Sequence, residues 1–255
     1  MIAVLGGSGL GRLPGLELKG SLHLETRWGA PSGPILEGQW HGVPVLFLPR
    51  HGTPHAIPPH RINYRANLWA LREAGARAVV AVAAVGGIAT DCVPAALVVP
   101  DQLIDYTWGR DATFHDGEGG EVVHVDFTEP YDALMRADLI EAGRQAGQAV
   151  IDQGVYGCTQ GPRLETAAEI RRMARDGCTV VGMTGMPEAV LARELDLPYA
   201  CLAVVANHAA GLDPSGTIIT LDAIHRHLER GLAAAEQVLR PALVRMHERL
   251  SQRTR

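Results

Sequence analysis

The sequence predicts an α/β fold, a single domain over residues 1–255 built on one central sheet. Three observations predict it. The run Ala78–Val85 is continuously apolar and stops at Gly86-Gly87, the pattern of a strand buried on both faces. Short β-rich runs alternate along the chain with stretches of helical spacing. The apolar Ile2-Ala3-Val4-Leu5 runs straight into the turn Gly6-Gly7-Ser8-Gly9, as strands do where α/β sites gather.

Taken in order, Ile2–Gly6 is a first strand and Val43–Leu48 a second, preceded by the turn-like Trp40-His41-Gly42. Arg61–Ala74 carries Tyr64, Leu68, Leu71 and Ala74 at helical spacing, and Gly75 is placed to end that helix. Ala78–Val85 is the central strand. Leu97–Ile104, Thr179–Met183 and Tyr199–Val205 read as further strands, the last delivering Asn207 into a loop. Helices are expected at Tyr131–Gly147, Thr166–Asp176, Pro187–Glu194 and Leu221–Leu250, with Pro187 suited to a first turn and a long apolar stripe from Leu221 onward. The polar, glycine-rich Tyr106–Gly120 is a long loop.

Composition narrows the function classes. A net charge of −5, a lone Lys19 and scattered arginines argue against a nucleic-acid binder or a membrane-surface protein. No basic segment precedes the first apolar run, so no signal peptide is read, and Ala78–Val85 is too short to span a bilayer. Cys92, Cys158, Cys178 and Cys201 are widely spaced with no CxxC, which fits reduced thiols in the cytoplasm.

Three clusters can carry chemistry. Gly6-Gly7-Ser8-Gly9 can hold an anion on backbone N–H groups with the Ser8 hydroxyl as a further donor, or can be a plain strand-ending turn. It is not the dinucleotide fingerprint, because Arg12 stands where the third glycine belongs. In Pro49-Arg50-His51-Gly52-Thr53-Pro54-His55, Arg50 offers a planar fork for phosphate oxygens, and His51 and His55 add donors. A zinc reading of His51, His55 and His60 fails because Pro54, Pro58 and Pro59 forbid the helix that pairs such ligands. The third cluster joins Gly161-Pro162-Arg163-Leu164-Glu165-Thr166 to Gly182-Met183-Thr184-Gly185-Met186-Pro187-Glu188, two loop-to-helix junctions. Glu165 and Glu188 can also be simple first-turn acids, and Met183 simple core.

These motifs, with Asn63-Tyr64-Arg65-Ala66-Asn67 between them, occur in the order found in the methylthioadenosine phosphorylase branch of the trimeric purine nucleoside phosphorylases, which the chain resembles along its length. The resemblance implies a twisted mixed sheet flanked by helices, a homotrimer, and no metal or organic cofactor, with inorganic phosphate as co-substrate. It implies that Ser8, Arg50, His51, the backbone at Ala83 and Ala84, and Thr184 hold phosphate. Met183 would then pack on the ribose, His55 would lie among the substrate-binding residues, and His124 would reach a neighbouring subunit's site. Two departures stand out: Ala83 replaces a hydroxyl-bearing residue, and Leu164 an aromatic that stacks on the base.

The same resemblance bears on the substrate. Adenine-specific relatives present two aspartates where this chain has Asn207 and Ala209. Asn207 can donate to purine N7, and Glu165 can accept from the N1–H that hypoxanthine has and adenine lacks. Leu221 falls where inosine phosphorylases place a histidine for the 5'-hydroxyl, so an apolar 5'-methylthio group is expected, while His225 one turn on leaves inosine open. The implied reaction is phosphorolysis of S-methyl-5'-thioinosine to hypoxanthine and 5-methylthioribose 1-phosphate, with Asn207 and Glu165 catalytic. Inosine/guanosine phosphorolysis, methylthioadenosine phosphorolysis and, remotely, dinucleotide binding are the alternatives.

Overall fold

The computed structural model describes every residue except 8, 11–14, 118–121, 215, 217–218 and 253–255. Its elements in chain order are β1 (Ile2–Gly6), β2 (Leu16–Leu22), β3 (Ile35–Trp40), β4 (Val43–Pro49), α1 (Tyr64–Glu73), β5 (Ala78–Gly87), β6 (Leu97–Val98), β7 (Gln102–Asp105), α2 (Ala133–Gln145), β8 (Val150–Ile151), β9 (Val155–Cys158), α3 (Ala167–Arg175), β10 (Val180–Gly182), α4 (Gly185–Glu194), β11 (Tyr199–His208) and α5 (Leu221–Gln252). The strands make one mixed sheet flanked by helices, the α/β class expected. No helix among the described residues is long and apolar enough to cross a membrane.

Strand periodicity explains the layering. In β1, Ala3 and Leu5 join a core with Tyr64, Leu68 and Leu71 of α1 and Ala189 and Leu191 of α4. Ile2 and Val4 face the other way, into a core with Leu139 of α2 and Leu228, Val238 and Leu243 of α5. Both faces of the central strands are therefore covered, which is why they read as unbroken apolar runs rather than alternating ones.

The parallel strands β4, β1, β5 and β11 lie side by side, β4 and β1 stopping near Ala81 of β5 while β5 and β11 run on to Gly87 and His208. Along one edge of β5, β1 pairs only with Ala78–Ala81, and β10 takes up that edge again at Gly86. β11 occupies the opposite edge throughout. Val82–Val85 thus has a strand on one side and, among the described residues, none on the other, so the sheet forks there.

Where the elements differ from the sequence reading, local chemistry gives the reason. α1 starts at Tyr64 because the Asn63 side chain caps it, accepting from the Ala66 N–H, while Pro59–Arg61 forms a separate 3-10 turn. Leu97–Ile104 is two strands, since Pro100 has no N–H to give a ladder. β11 continues past Val205 through a bulge, so Asn207 stands on the strand, opposite Gly86, and not in a loop. The antiparallel pair β2–β3 at the sheet edge was not expected. β2 is only half buried, with Leu18 59% exposed, and so has no apolar run to mark it.

Gly87 closes the fork against β10 and β11, and the turn after it crosses close by. A Cβ built there would stand 1.7 Å from the Cys92 carbonyl oxygen, a backbone atom that cannot swing away. Gly87→Ala is expected to cost about 1–3 kcal/mol through overpacking. Urea unfolding would read this as a lower midpoint; a midpoint equal to the parent's would refute the close approach.

Candidate active site

The site begins where β4 ends. The Arg50 N–H donates to the Gly6 carbonyl at 2.9 Å, which carries Arg50 off the end of β4 beside the fork in β5. Its side chain is fully buried. Nε and Nη2 each donate to a Glu188 carboxylate oxygen at 2.7 Å, and Nη1 donates to the Val82 carbonyl at 3.1 Å, on the open edge of the sheet. The Tyr199 hydroxyl donates to Glu188 at 2.8 Å. Burial works against the guanidinium charge, but the adjacent Glu188 carboxylate outweighs it and holds the Arg50 pKa above its ordinary value.

This arrangement revises one expectation. The two-pronged edge of Arg50 is engaged by Glu188, so only the Nη1 edge is left for an external anion. That edge faces the glycine turn. A Cβ on Gly7 would lie 3.0 Å from Nη1 and 2.6 Å from the Val82 oxygen, so the close approach of turn, arginine and strand requires glycine. The Ala83 Cα is 3.5 Å from the same point, while the Ala83 side chain is packed in the core. Ser8 lies outside the described residues.

His51 is also buried. Its Nδ1 is 2.8 Å from the Ile57 carbonyl, which can only accept, so the neutral ring carries its proton on Nδ1 and presents a lone pair at Nε2. Burial, and then the charge of Arg50, lower its pKa to about 4. His55 stacks on it, with ring centroids 4.2 Å apart, and is itself exposed.

Beside this cluster, a cavity of about 180 Å³ gathers Ala84, Leu164, Glu165, Met183, Thr184, Asn207 and Ala209. Four segments contribute them: the fork of β5, the bulged end of β11, the loop that enters α3 and the loop that enters α4. Thr159 Oγ1 donates to Glu165 at 2.6 Å, fixing one carboxylate oxygen. Asn207 Nδ2 donates to the His208 carbonyl at 2.7 Å, which orients the amide and leaves its second N–H and its oxygen available. Thr184 is the N-cap of α4 yet makes no side-chain capping bond to that helix.

Other expected residues stand apart. Leu221, first in α5, is 72% exposed and does not line the cavity. Ile219 and Ile224 do. His225 is exposed, as is His124. The reading of residues missed the pairing of Glu188 with Arg50, and with it Tyr199, Thr159 and Arg110. A lone acid in the apolar stretch Pro187–Leu191 was the available signal for Glu188; nothing in sequence marked its partner.

With the geometry in place, comparison with known proteins assigns the family. The phosphorylase superfamily model matches residues 1–243, and the chain belongs to that superfamily. A probable S-methyl-5'-thioinosine phosphorylase of Pseudomonas syringae pv. tomato is 52% identical, over 93% of this chain and 96% of its own. The 6-oxopurine nucleoside phosphorylase of Pyrococcus furiosus is 48% identical, over 83% of this chain and 80% of its own. Among solved structures, methylthioadenosine phosphorylase from Schistosoma mansoni in complex with adenine aligns with a TM-score of 0.91 at 30% identity, covering 96% of this chain and 91% of that one.

Two outcomes follow from the buried charges. Glu188→Ala strands the Arg50 guanidinium without its counter-ion and is expected to cost about 3–5 kcal/mol in unfolding free energy, measured by denaturant titration; a cost near zero would mean that the pair is not formed. For His51, the folded-state pKa of about 4 lies below the unfolded value of 6.5. The unfolded chain therefore binds the extra proton between those values, and stability rises with pH across that window, by up to about 1.4 kcal/mol per pH unit. Unfolding curves at pH 5 and pH 7 should show this slope reduced in His51→Gln; an unchanged slope would refute it.

Proposed function

We propose that this chain catalyses phosphorolysis of S-methyl-5'-thioinosine, giving hypoxanthine and 5-methylthioribose 1-phosphate. The observation that carries the reading is the presence of Glu165 and Asn207 in one cavity with Met183 and Thr184, next to the Arg50 cluster. Glu165 accepts from N1–H of a 6-oxopurine, and Asn207 donates to N7. Adenine has no N1–H, so at the first of these contacts it would leave the second Glu165 carboxylate oxygen without a donor.

Phosphate takes the fork of β5. Arg50 Nη1, the Ser8 hydroxyl, the backbone around Ala83-Ala84, and Thr184 at the N-terminus of α4 donate to its oxygens. With its proton held on Nδ1, His51 accepts from the phosphate P–OH at Nε2. Met183 packs on the ribose and Leu164 on the base, with Ala209 leaving room beside Asn207. A phosphate oxygen attacks C1' as the bond from C1' to the purine nitrogen breaks. The negative phosphate stabilises the cationic sugar, and the departing electron pair is taken up by a purine held at N7 by Asn207. The residues named need no covalent enzyme intermediate.

The 5' group meets Ile219 and Ile224, apolar surface suited to a methylthio group and poor for an unpartnered hydroxyl. Relatives named for S-methyl-5'-thioinosine phosphorolysis, at 52–55% identity over most of this chain, support the same substrate. Inosine and guanosine are the second reading, favoured by the relative named as a 6-oxopurine nucleoside phosphorylase at 48% identity. We further assign a homotrimer in which His124 of one copy approaches the site of the next. The exposed Val122 and Val123 beside it, 77% and 41% accessible, support that interface. Four buried, unpaired cysteines suit a reducing cytoplasm.

In phosphate-free buffer, hypoxanthine release from methylthioinosine should vanish. The expected order of kcat/KM is methylthioinosine, then inosine, then methylthioadenosine. Glu165→Gln should lower the first roughly ten- to hundredfold, matching about 1–3 kcal/mol for one mispaired buried group. Release without phosphate, or a preference for methylthioadenosine, would overturn the assignment.

A further inference from the structure

The polar loop between β7 and α2 has so far been given a part only toward a neighbouring copy, through His124, yet another of its side chains reaches the backbone of both substrate walls of its own site. Arg110 Nη2 donates to the carbonyls of Thr159 at 3.2 Å and Gln160 at 2.9 Å, and its Nε to the Gln160 side-chain oxygen at 3.2 Å. Its Nη1 donates to the carbonyls of Met183 at 2.9 Å and Met186 at 2.5 Å, and to the Tyr64 hydroxyl at 3.2 Å. Each of these acceptors is neutral. The bonds do not form a salt bridge; they hold main chain to main chain across two loops.

Those two loops carry different halves of the site. Thr159 is the residue whose hydroxyl fixes the Glu165 carboxylate. Met183 and Met186 bracket Thr184, and the helix that follows carries Glu188, the partner of Arg50. The loop that bears Arg110 is itself anchored. The Thr113 hydroxyl and the Phe114 N–H donate to the two oxygens of Glu194 in α4, both at 2.7 Å, and Arg65 of α1 pairs with Asp111 and Asp116. The guanidinium is thus delivered from a fixed base, and its planar fork spans two loops in a way that a lysine ammonium cannot.

We propose that Arg110 is a positioning residue for phosphorolysis, clamping the wall that reads the purine to the wall that holds sugar and phosphate. The proposal rests on the function proposed above and extends it to a residue that touches no substrate. Loss of the clamp lets Thr159 drift, and with it Glu165, so discrimination between 6-oxo and 6-amino purines weakens. It also frees the Met183–Met186 loop, so phosphate binding weakens together with base selection.

The test compares Arg110→Met, Arg110→Lys and Thr159→Val with the parent enzyme. Three quantities are measured: KM for phosphate, kcat/KM for methylthioinosine, and the ratio of that kcat/KM to the value for methylthioadenosine. Thermal melting of each variant reports the folded fraction. Arg110→Met and Arg110→Lys should both lower kcat/KM at least tenfold, raise KM for phosphate severalfold and reduce the base ratio severalfold, all per folded molecule. Thr159→Val should reduce the base ratio and leave KM for phosphate unchanged. Combined with Arg110→Met, it should lower the ratio by less than the product of the two separate effects. The proposal is overturned if the arginine variants keep the parent's base ratio and phosphate KM, if their losses only track the folded fraction, or if Arg110→Lys restores all three quantities. The parent enzyme keeps the two readings distinct: release of hypoxanthine without phosphate by the parent would reject the function, whereas a phosphate-dependent parent with indifferent variants would reject the role of Arg110 alone.

Discussion

A guanidinium with no access to water is stable only if its charge is matched and its donors find partners. In this fold Glu188 matches the charge of Arg50 and accepts from two of its nitrogens, the Val82 carbonyl accepts from the third, and Tyr199 donates to Glu188. Much of the site depends on that requirement. The carboxylate comes from α4, so α4 must lie against the end of β4. The carbonyl comes from β5, so β5 must leave an edge unpaired at Val82. Tyr199 opens β11, so that strand is tied to the same charge. Removing the pair would take away the polar tie among α4, β5 and β11 at the point where they converge.

The unpaired edge of β5 also gives the site its shape. Had β1 continued beside β5, or β10 begun sooner, ladder bonds would fill Val82–Val85, and neither Arg50 nor an anion would have backbone to approach. The glycine turn after β1 ends that strand early. Gly7 then lets Arg50 Nη1 and the Val82 oxygen come within contact of the turn. On the opposite edge, the bulge between Val205 and Asn207 changes which residue of β11 faces the cavity. Polar groups thus enter a largely apolar pocket at defined points, each already held by a neighbour: Glu165 by Thr159 and Asn207 by the His208 carbonyl.

Much of the fold was legible because buried parallel strands and amphipathic helices leave strong periodic signals. β1, β4, β5 and β11 read correctly from apolar runs, and α2 to α5 from spacing and start signals, with ends off by only a few residues. β2 and β3 did not, because a half-exposed edge pair has no continuous run, and β8 and β9 are too short to show a period. For the site, Glu165, Met183 and Thr184 came from motifs and Asn207 from the family resemblance, and the four share one cavity. Leu221 was misplaced because matching by eye fixes position along a helix and not which way the first turn faces. Arg110 was invisible because its partners are main-chain carbonyls, which any sequence possesses.

By itself, the sequence determined the α/β class, the order of the central elements and the residue types that meet at the strand ends, because these follow from hydrophobic period, glycine and proline placement and local capping. Only the tertiary structure decided which charges pair, which edge of Arg50 stays open, which nitrogen of His51 carries its proton, and which side chains surround the cavity. Those properties depend on distances between residues far apart in the chain. Glu188 lies 138 positions from Arg50, and no local pattern records that separation.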